Sequence, residues 1–237
     1  MLEQKLSDLV QRLKAAFEDR LVSAILYGSA AMGDWHEPTS DLNVLCVMDR
    51  LSPAELAQSE PVFRWWRDQG NPPPLLLTAE EVRTATDCFP MEFHDMREHR
   101  RVLYGSDVIE HLVIDKVFYR AQVEHELRAK QIRLRQQAAQ VIGNPDRLMR
   151  LMADSISTFC VLGRHALILS GNAPRWKKQE IVTALEGAMG RPLKAANEIL
   201  AIRGAGKRPS GTQPVSLLGE YLAETDALVR FVDALER

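Results

Sequence analysis

Cysteine is scarce in this chain: Cys46, Cys88 and Cys160 are odd in number and far apart. No pair has metal-ligand spacing, so neither a structural zinc module nor a disulfide framework is indicated. This usage fits a reducing compartment, and a cytoplasmic location is expected. Cys46 lies in an apolar run and reads as a small core side chain. Long apolar runs are missing as well. The most apolar stretch, Leu148 to Leu169, is interrupted by Arg150, Asp154 and Arg164. It is too broken to span a bilayer, so no membrane partner is expected. No secretory signal is visible. Instead Leu2, Leu6, Leu9, Val10, Leu13 and Phe17 fall at helical spacing among charges. Aromatics make up 6% of the chain and do not interleave with its basic stretch, which argues against a dedicated single-strand nucleic-acid binder. No internal repeat is present.

What is present is enough chain, 237 residues, for one large domain or two small ones with real cores. The net charge of −2 hides an asymmetry. Residues 1–115 carry 11 Lys/Arg and 20 Asp/Glu, a net of −9; residues 116–237 carry 19 and 12, a net of +7. An acidic half suits metal, and a basic half suits a polyanion. The alternative is a pair of solvated surfaces of opposite sign.

Patterning changes at the same place. The first half predicts a helix over 3–19, strands over 22–27 and 41–48, and a helix opening at the capping box Ser52-Pro53-Ala54-Glu55. A strand at 75–77, a short helix from Thr78, and strands at 89–96 and 102–104 complete it. After residue 116 the pattern is helical: 116–141, 146–169, 178–188, 192–202 and 216–235, with a Gly/Pro-rich basic loop over 203–214. The expected class is therefore α+β, with a mixed sheet flanked by helices at 1–115 and a helical bundle at 116–237.

The most informative stretch is Gly28-Ser29-Ala30-Ala31-Met32-Gly33-Asp34-Trp35-His36-Glu37-Pro38-Thr39-Ser40-Asp41-Leu42-Asn43. A buried strand runs into Gly28-Ser29, and Asp41 opens the next apolar run. Glycine lets backbone approach a phosphate, and a hydroxyl and helix-opening amides can donate to it. The pattern resembles the nucleotidyltransferase superfamily that includes DNA polymerase beta, and within it the aminoglycoside adenylyltransferase-like members. Gly28, Ser29, Gly33, Pro38, Ser40 and Asp41 sit where that pattern puts such residues. The second Asp of its Asp-x-Asp signature is Asn43 here.

The resemblance implies Gly28 and Ser29 as nucleotide-binding residues. It implies Asp41, Asn43 and Glu92 around Mg²⁺, with Asp41 and Glu92 as catalytic carboxylates. Glu92, on the strand expected over 89–96, is the third acid, with Asp95 the alternative. The substrate is a nucleoside triphosphate. The reaction moves a nucleoside monophosphate to the hydroxyl of an unidentified acceptor and releases pyrophosphate. Asn43 brings no charge, and three outcomes stay open. One metal binds tightly and one weakly; another acid such as Asp34 or Glu37 compensates; or the domain binds nucleotide without turnover, as a catalytically silent or antitoxin-like module. A homodimer is compatible with the superfamily, though no residue demands it.

Other features carry less. Arg128, Lys130, Arg133 and Arg135 make one helix basic, suited to RNA or triphosphate contact by the C-terminal half, or simply solvated. Arg120 and His125 have the spacing of a ribonuclease-type pair, a short pattern common by chance. Gly204-Ala205-Gly206-Lys207 is not a phosphate-binding loop, because Ala201 and Arg208 break the pattern.

Overall fold

A computed structural model describes residues 2–28, 30–31, 41–114, 117–206 and 211–235. Its contacts divide the chain into two compact units, Met1–Lys116 and Val117–Arg237.

The first unit is built on a four-stranded mixed sheet of order β3-β2-β1-β4. Strand β1 (Leu21–Tyr27) is central and pairs antiparallel with both β2 (Asn43–Met48) and β4 (Arg100–Gly105). Strand β3 (Leu75–Thr78) joins β2 in parallel after the crossover helix α2 (Pro53–Asp68). The near-continuous apolar runs of β1 and β2 follow from burial on both faces. On one face Ala24, Leu26, Val44, Cys46 and Met48 pack with Leu6, Leu9, Leu13 and Phe17 of α1 (Leu2–Phe17) and with Val62 and Trp66 of α2. On the other, Ile25, Leu45 and Val47 meet Val82 of α3 (Ala79–Thr84) and Phe93 and Met96 of α4 (Pro90–Glu98).

Local chemistry places these elements. The Ser52 box forms as the sequence predicts: Ser52 Oγ accepts from the Ala54 N–H, and Glu55 accepts from the Ser52 N–H at 3.0 Å. Thr78 and Glu81 make a second box that starts α3. Gly105 has φ +74, and a Cβ there would collide with the Val22 carbonyl, so β4 ends where only glycine fits against β1.

One expectation is overturned. Residues 90–98 form helix α4, not a strand. Pro90 at the first helical position needs no N–H partner, and no β-branched residue stiffens Pro90–Glu98 toward a strand. Phe93 and Met96, three residues apart on one helical face, pack on the sheet.

The second unit contains α5 (Tyr119–Val141), α6 (Pro145–Leu169), α7 (Lys178–Met189), α8 (Lys194–Ala205) and α9 (Pro214–Asp233). Asn144 caps α6 by accepting from the Arg147 N–H, with Pro145 at the first position. Helix α5 packs on α6 and α9, and α6 also on α7 and α8. Its core is unusually polar at three points. Glu224 of α9 accepts from the Ala195 and Ala196 N–H groups at 2.8 and 2.9 Å. The Tyr119 hydroxyl and His165 Nδ1 lie 2.6 Å apart. Gln131 donates to Thr225 at 3.3 Å. Among the described residues no helix is long and apolar enough to cross a membrane.

The basic helix α5 is partly self-neutralised. Arg128 pairs with Glu124 at 2.8 Å and Lys130 with Glu126 at 3.5 Å. Arg120 is held by Glu124 at 3.0 Å.

Candidate active site

The candidate site is the end of the sheet where β1 leaves through Gly28 and β2 enters at Asn43. Tyr27 and Asn43 are direct partners in the antiparallel ladder. Gly28 then turns away with φ +77, a conformation that favours glycine. Its carbonyl accepts from the Ala31 N–H at 3.0 Å. A Cβ on Gly28 would lie 3.1 Å from Asn43 Nδ2, so the two residues share one confined corner.

Pairing stops at Tyr27 and Asn43, so β2 begins at Asn43 and not at Asp41 as the apolar pattern predicts. Asp41 lies just before the strand and is exposed. Leu42 and Val44 are buried with the α1 face, which directs Asn43 to the opposite face. Ser29 lies outside the described residues, as do Gly33, Asp34, His36, Glu37, Pro38 and Ser40.

Glu92 stands on helix α4 and not on a strand. It is exposed in the first turn of α4. Burial pushes the Tyr27 phenol above its ordinary pKa, and the charge of Glu92 adds to that rise. The carboxylate is therefore within electrostatic reach of the residue that precedes Gly28. Asp95, the alternative acid, is half-buried, with Oδ1 4.0 Å from His94 Nδ1.

The strands flanking β1 carry no acid at this level. Opposite Tyr27 on β4 stands Arg100. Directly opposed residues share a face, so the row reads Asn43, Tyr27, Arg100. Arg100 is not a loose cation. Its Nε and Nη2 both donate to Asp107 at 2.8 Å, and it also donates to the Arg97 carbonyl. Burial works against the Asp107 charge, but the Arg100 hydrogen bond prevails and holds its pKa below the ordinary value. Tyr27 and Arg100 were absent from the sequence reading. The Tyr at the end of the apolar run was the available signal, whereas Arg100 is recognisable only from the ladder register.

No hydrogen bond or ion pair among the described residues engages the side chains of Asp41, Asn43 or Glu92. Their oxygens are uncommitted, and they are hard donors of the kind Mg²⁺ takes alongside substrate phosphates. They carry two negative charges, not three, and they are not drawn into a tight cluster. Among the described residues, neither Asp41 nor Glu92 belongs to a group of three His, Cys, Asp or Glu ligand atoms within 4.8 Å.

The chain is similar in fold to a solved structure, spectinomycin adenyltransferase AAD(9) from Enterococcus faecialis with ATP and spectinomycin. The TM-score is 0.62 over 97% of this chain and 99% of that one, at 14% sequence identity. The fold is nucleotidyltransferase-like. No protein-family model and no curated protein matches the sequence.

Proposed function

We propose that this protein is a metal-dependent nucleotidyltransferase. It binds a nucleoside triphosphate at the Gly28 corner and transfers a nucleoside monophosphate to an acceptor hydroxyl. The observation that carries the reading is Asn43 against the positive-φ Gly28 at the end of the sheet, with Asp41 two residues before it, in a fold that matches an adenyltransferase over 97% of the chain.

In the proposed reaction the acceptor oxygen forms a bond to the α-phosphorus, and the bond from that phosphorus to the β-phosphate oxygen breaks. Pyrophosphate leaves. The hydroxyl proton passes to Glu92, an exposed carboxylate with no competing hydrogen bond among the described residues. Gly28, with Ser29 beside it, admits phosphate close to the backbone. Asp41 and Asn43 would hold Mg²⁺ against the triphosphate. When bound, the ion supplies charge neutralisation for the triphosphate and for the departing pyrophosphate. The remainder is positioning. The two compact units are taken as separate domains, and a cytoplasmic setting goes with this reading.

The test is a Mg²⁺-dependent transfer assay with labelled nucleoside triphosphates and a panel of hydroxyl acceptors, run beside Asp41→Ala. Labelled adduct and pyrophosphate from the wild type, with neither from Asp41→Ala, support the proposal. A wild type that binds no nucleotide in Mg²⁺ overturns it.

Asn43 specifically favours a second reading, a catalytically silent nucleotide-binding or antitoxin-like module. Nucleotide binding without pyrophosphate release under any metal and acceptor selects it.

A further inference from the structure

Asn43 stands where the resemblance puts a carboxylate, and its surroundings indicate what an amide does there. The side chain offers one acceptor atom and two donor hydrogens. Its Nδ2 is the atom nearest the Gly28 corner. A Cβ built on Gly28 would lie 3.1 Å from Nδ2 and 3.9 Å from Cγ. The amide therefore fills the space against the glycine corner, at the turn where the resemblance puts a phosphate, and its donor end is available there.

The neighbouring strands supply nothing to replace the lost charge. Across β1 the row continues to Tyr27 and to Arg100, whose guanidinium is already committed to Asp107. On the other side, β3 pairing begins at Leu45 opposite Leu75, so the β3 ladder does not extend to Asn43. Two divalent ions side by side repel each other, and carboxylates between them must offset that repulsion. The described part of this corner has Asp41 alone beside the amide, with Glu92 on a helix.

We infer that Asn43 serves the nucleotide as an amide donor to a phosphate oxygen, and that the site takes one divalent ion where two carboxylates would hold two. This rests on the proposed nucleotide-binding reading and deepens it. The donor contact is independent of metal, because an N–H aimed at a phosphate needs no ion between them. Replacing the amide by a carboxylate reverses both properties: it repels bare triphosphate and restores a place for the second ion.

The experiment counts Mn²⁺ by electron paramagnetic resonance on the full chain with a non-hydrolysable ATP analogue, and measures analogue affinity in EDTA. One tight Mn²⁺ per wild-type chain and two per Asn43→Asp chain are expected. In EDTA, Asn43→Ala weakens the analogue about 10- to 100-fold, the scale of one hydrogen bond to a charged group, and Asn43→Asp weakens it further. Two tight Mn²⁺ in the wild type, or an Asn43→Ala affinity equal to wild type in EDTA, overturns the inference. The wild-type count stands even if Asn43→Asp fails to fold, and Asn43→Ala then tests the donor alone. A wild type that binds no analogue with or without Mn²⁺ takes down the nucleotide-binding reading itself, an outcome distinct from a bound analogue with two ions.

Discussion

Glu224 in the helical unit and Asp41 at the end of the sheet are both carboxylates, and they differ in what they hold. Glu224 is buried and accepts two backbone N–H groups from the first turn of α8. It acts as an N-cap supplied by another helix and ties α9 to α8. Asp41 is exposed, precedes its strand, and makes no hydrogen bond or ion pair among the described residues. The same contrast extends to their neighbours. In the helical unit Gln131 donates to Thr225, and the Tyr119 hydroxyl is paired with His165 Nδ1. At the end of the sheet Asn43 and Glu92 make no hydrogen bond or ion pair among the described residues. A buried polar group without a partner is costly, so a satisfied one reports on architecture. Accessible groups left uncommitted beside a positive-φ glycine are what the proposed ligand site rests on.

Substitutions at each kind of site sharpen that contrast. The largest expected effect is on chemistry: Asp41→Asn lowers transfer at least about 100-fold while leaving the thermal midpoint within about 1 °C of wild type. Denaturation and transfer assays on the same sample check it. Loss of folding with loss of activity would place Asp41 among the structural groups. Next comes Glu224→Ala, which orphans two buried donors and destabilises the helical unit by about 2–3 kcal/mol. Urea denaturation measures this, and an unchanged midpoint breaks the architectural role given to Glu224. Gly28→Ala is smaller in stability, about 1 kcal/mol for a Cβ at positive φ, but it also crowds Asn43. Analogue affinity measured by calorimetry should fall more than stability does.

The smallest effect is on pH dependence, and its sign differs between the two units. The Ser52 hydrogen bond, reinforced by Arg20 and Arg50, lowers the Glu55 pKa to about 2. A depressed folded pKa contributes stability that is present above about pH 4.5 and is lost as pH falls toward 2. Burial raises the Glu224 pKa against the two N–H bonds that lower it. The folded state then binds the proton more tightly than the unfolded chain, so this contribution weakens as pH rises through the ordinary carboxylate range. Hydrogen exchange followed separately in α2 and α8 should show protection rising with pH in α2 and falling in α8. Parallel trends would remove the assignment.

Much of the fold was legible because its signals are local. The stripe of Leu6, Leu9, Leu13 and Phe17 marks α1, and the Ser52 and Thr78 boxes mark the starts of α2 and α3. Asn144-Pro145 marks α6. Strands β1 and β2 were visible as doubly buried runs. The strand expected over 89–96 gives way to helix α4 because Pro90 suits a first helical position and the segment holds no β-branched residue. Of the candidate site, the Gly28 turn and the direction of Asn43 were readable. The true start of β2 was not, because it depends on where β1 stops pairing. The electrostatic influence of Glu92 on Tyr27 was not either, since about 65 residues separate them and only packing of α4 on the sheet brings them within reach.

By itself the sequence determined the caps, the apolar stripes, the two central strands and the glycine corner. Each follows from interactions within a few residues, where propensity and periodicity act directly. The tertiary structure alone decided the row Asn43, Tyr27, Arg100, the approach of Glu92 from a helix, and the capture of α8 by Glu224. Those depend on ladder register and on packing between distant segments, and no local pattern encodes which far residue completes a contact.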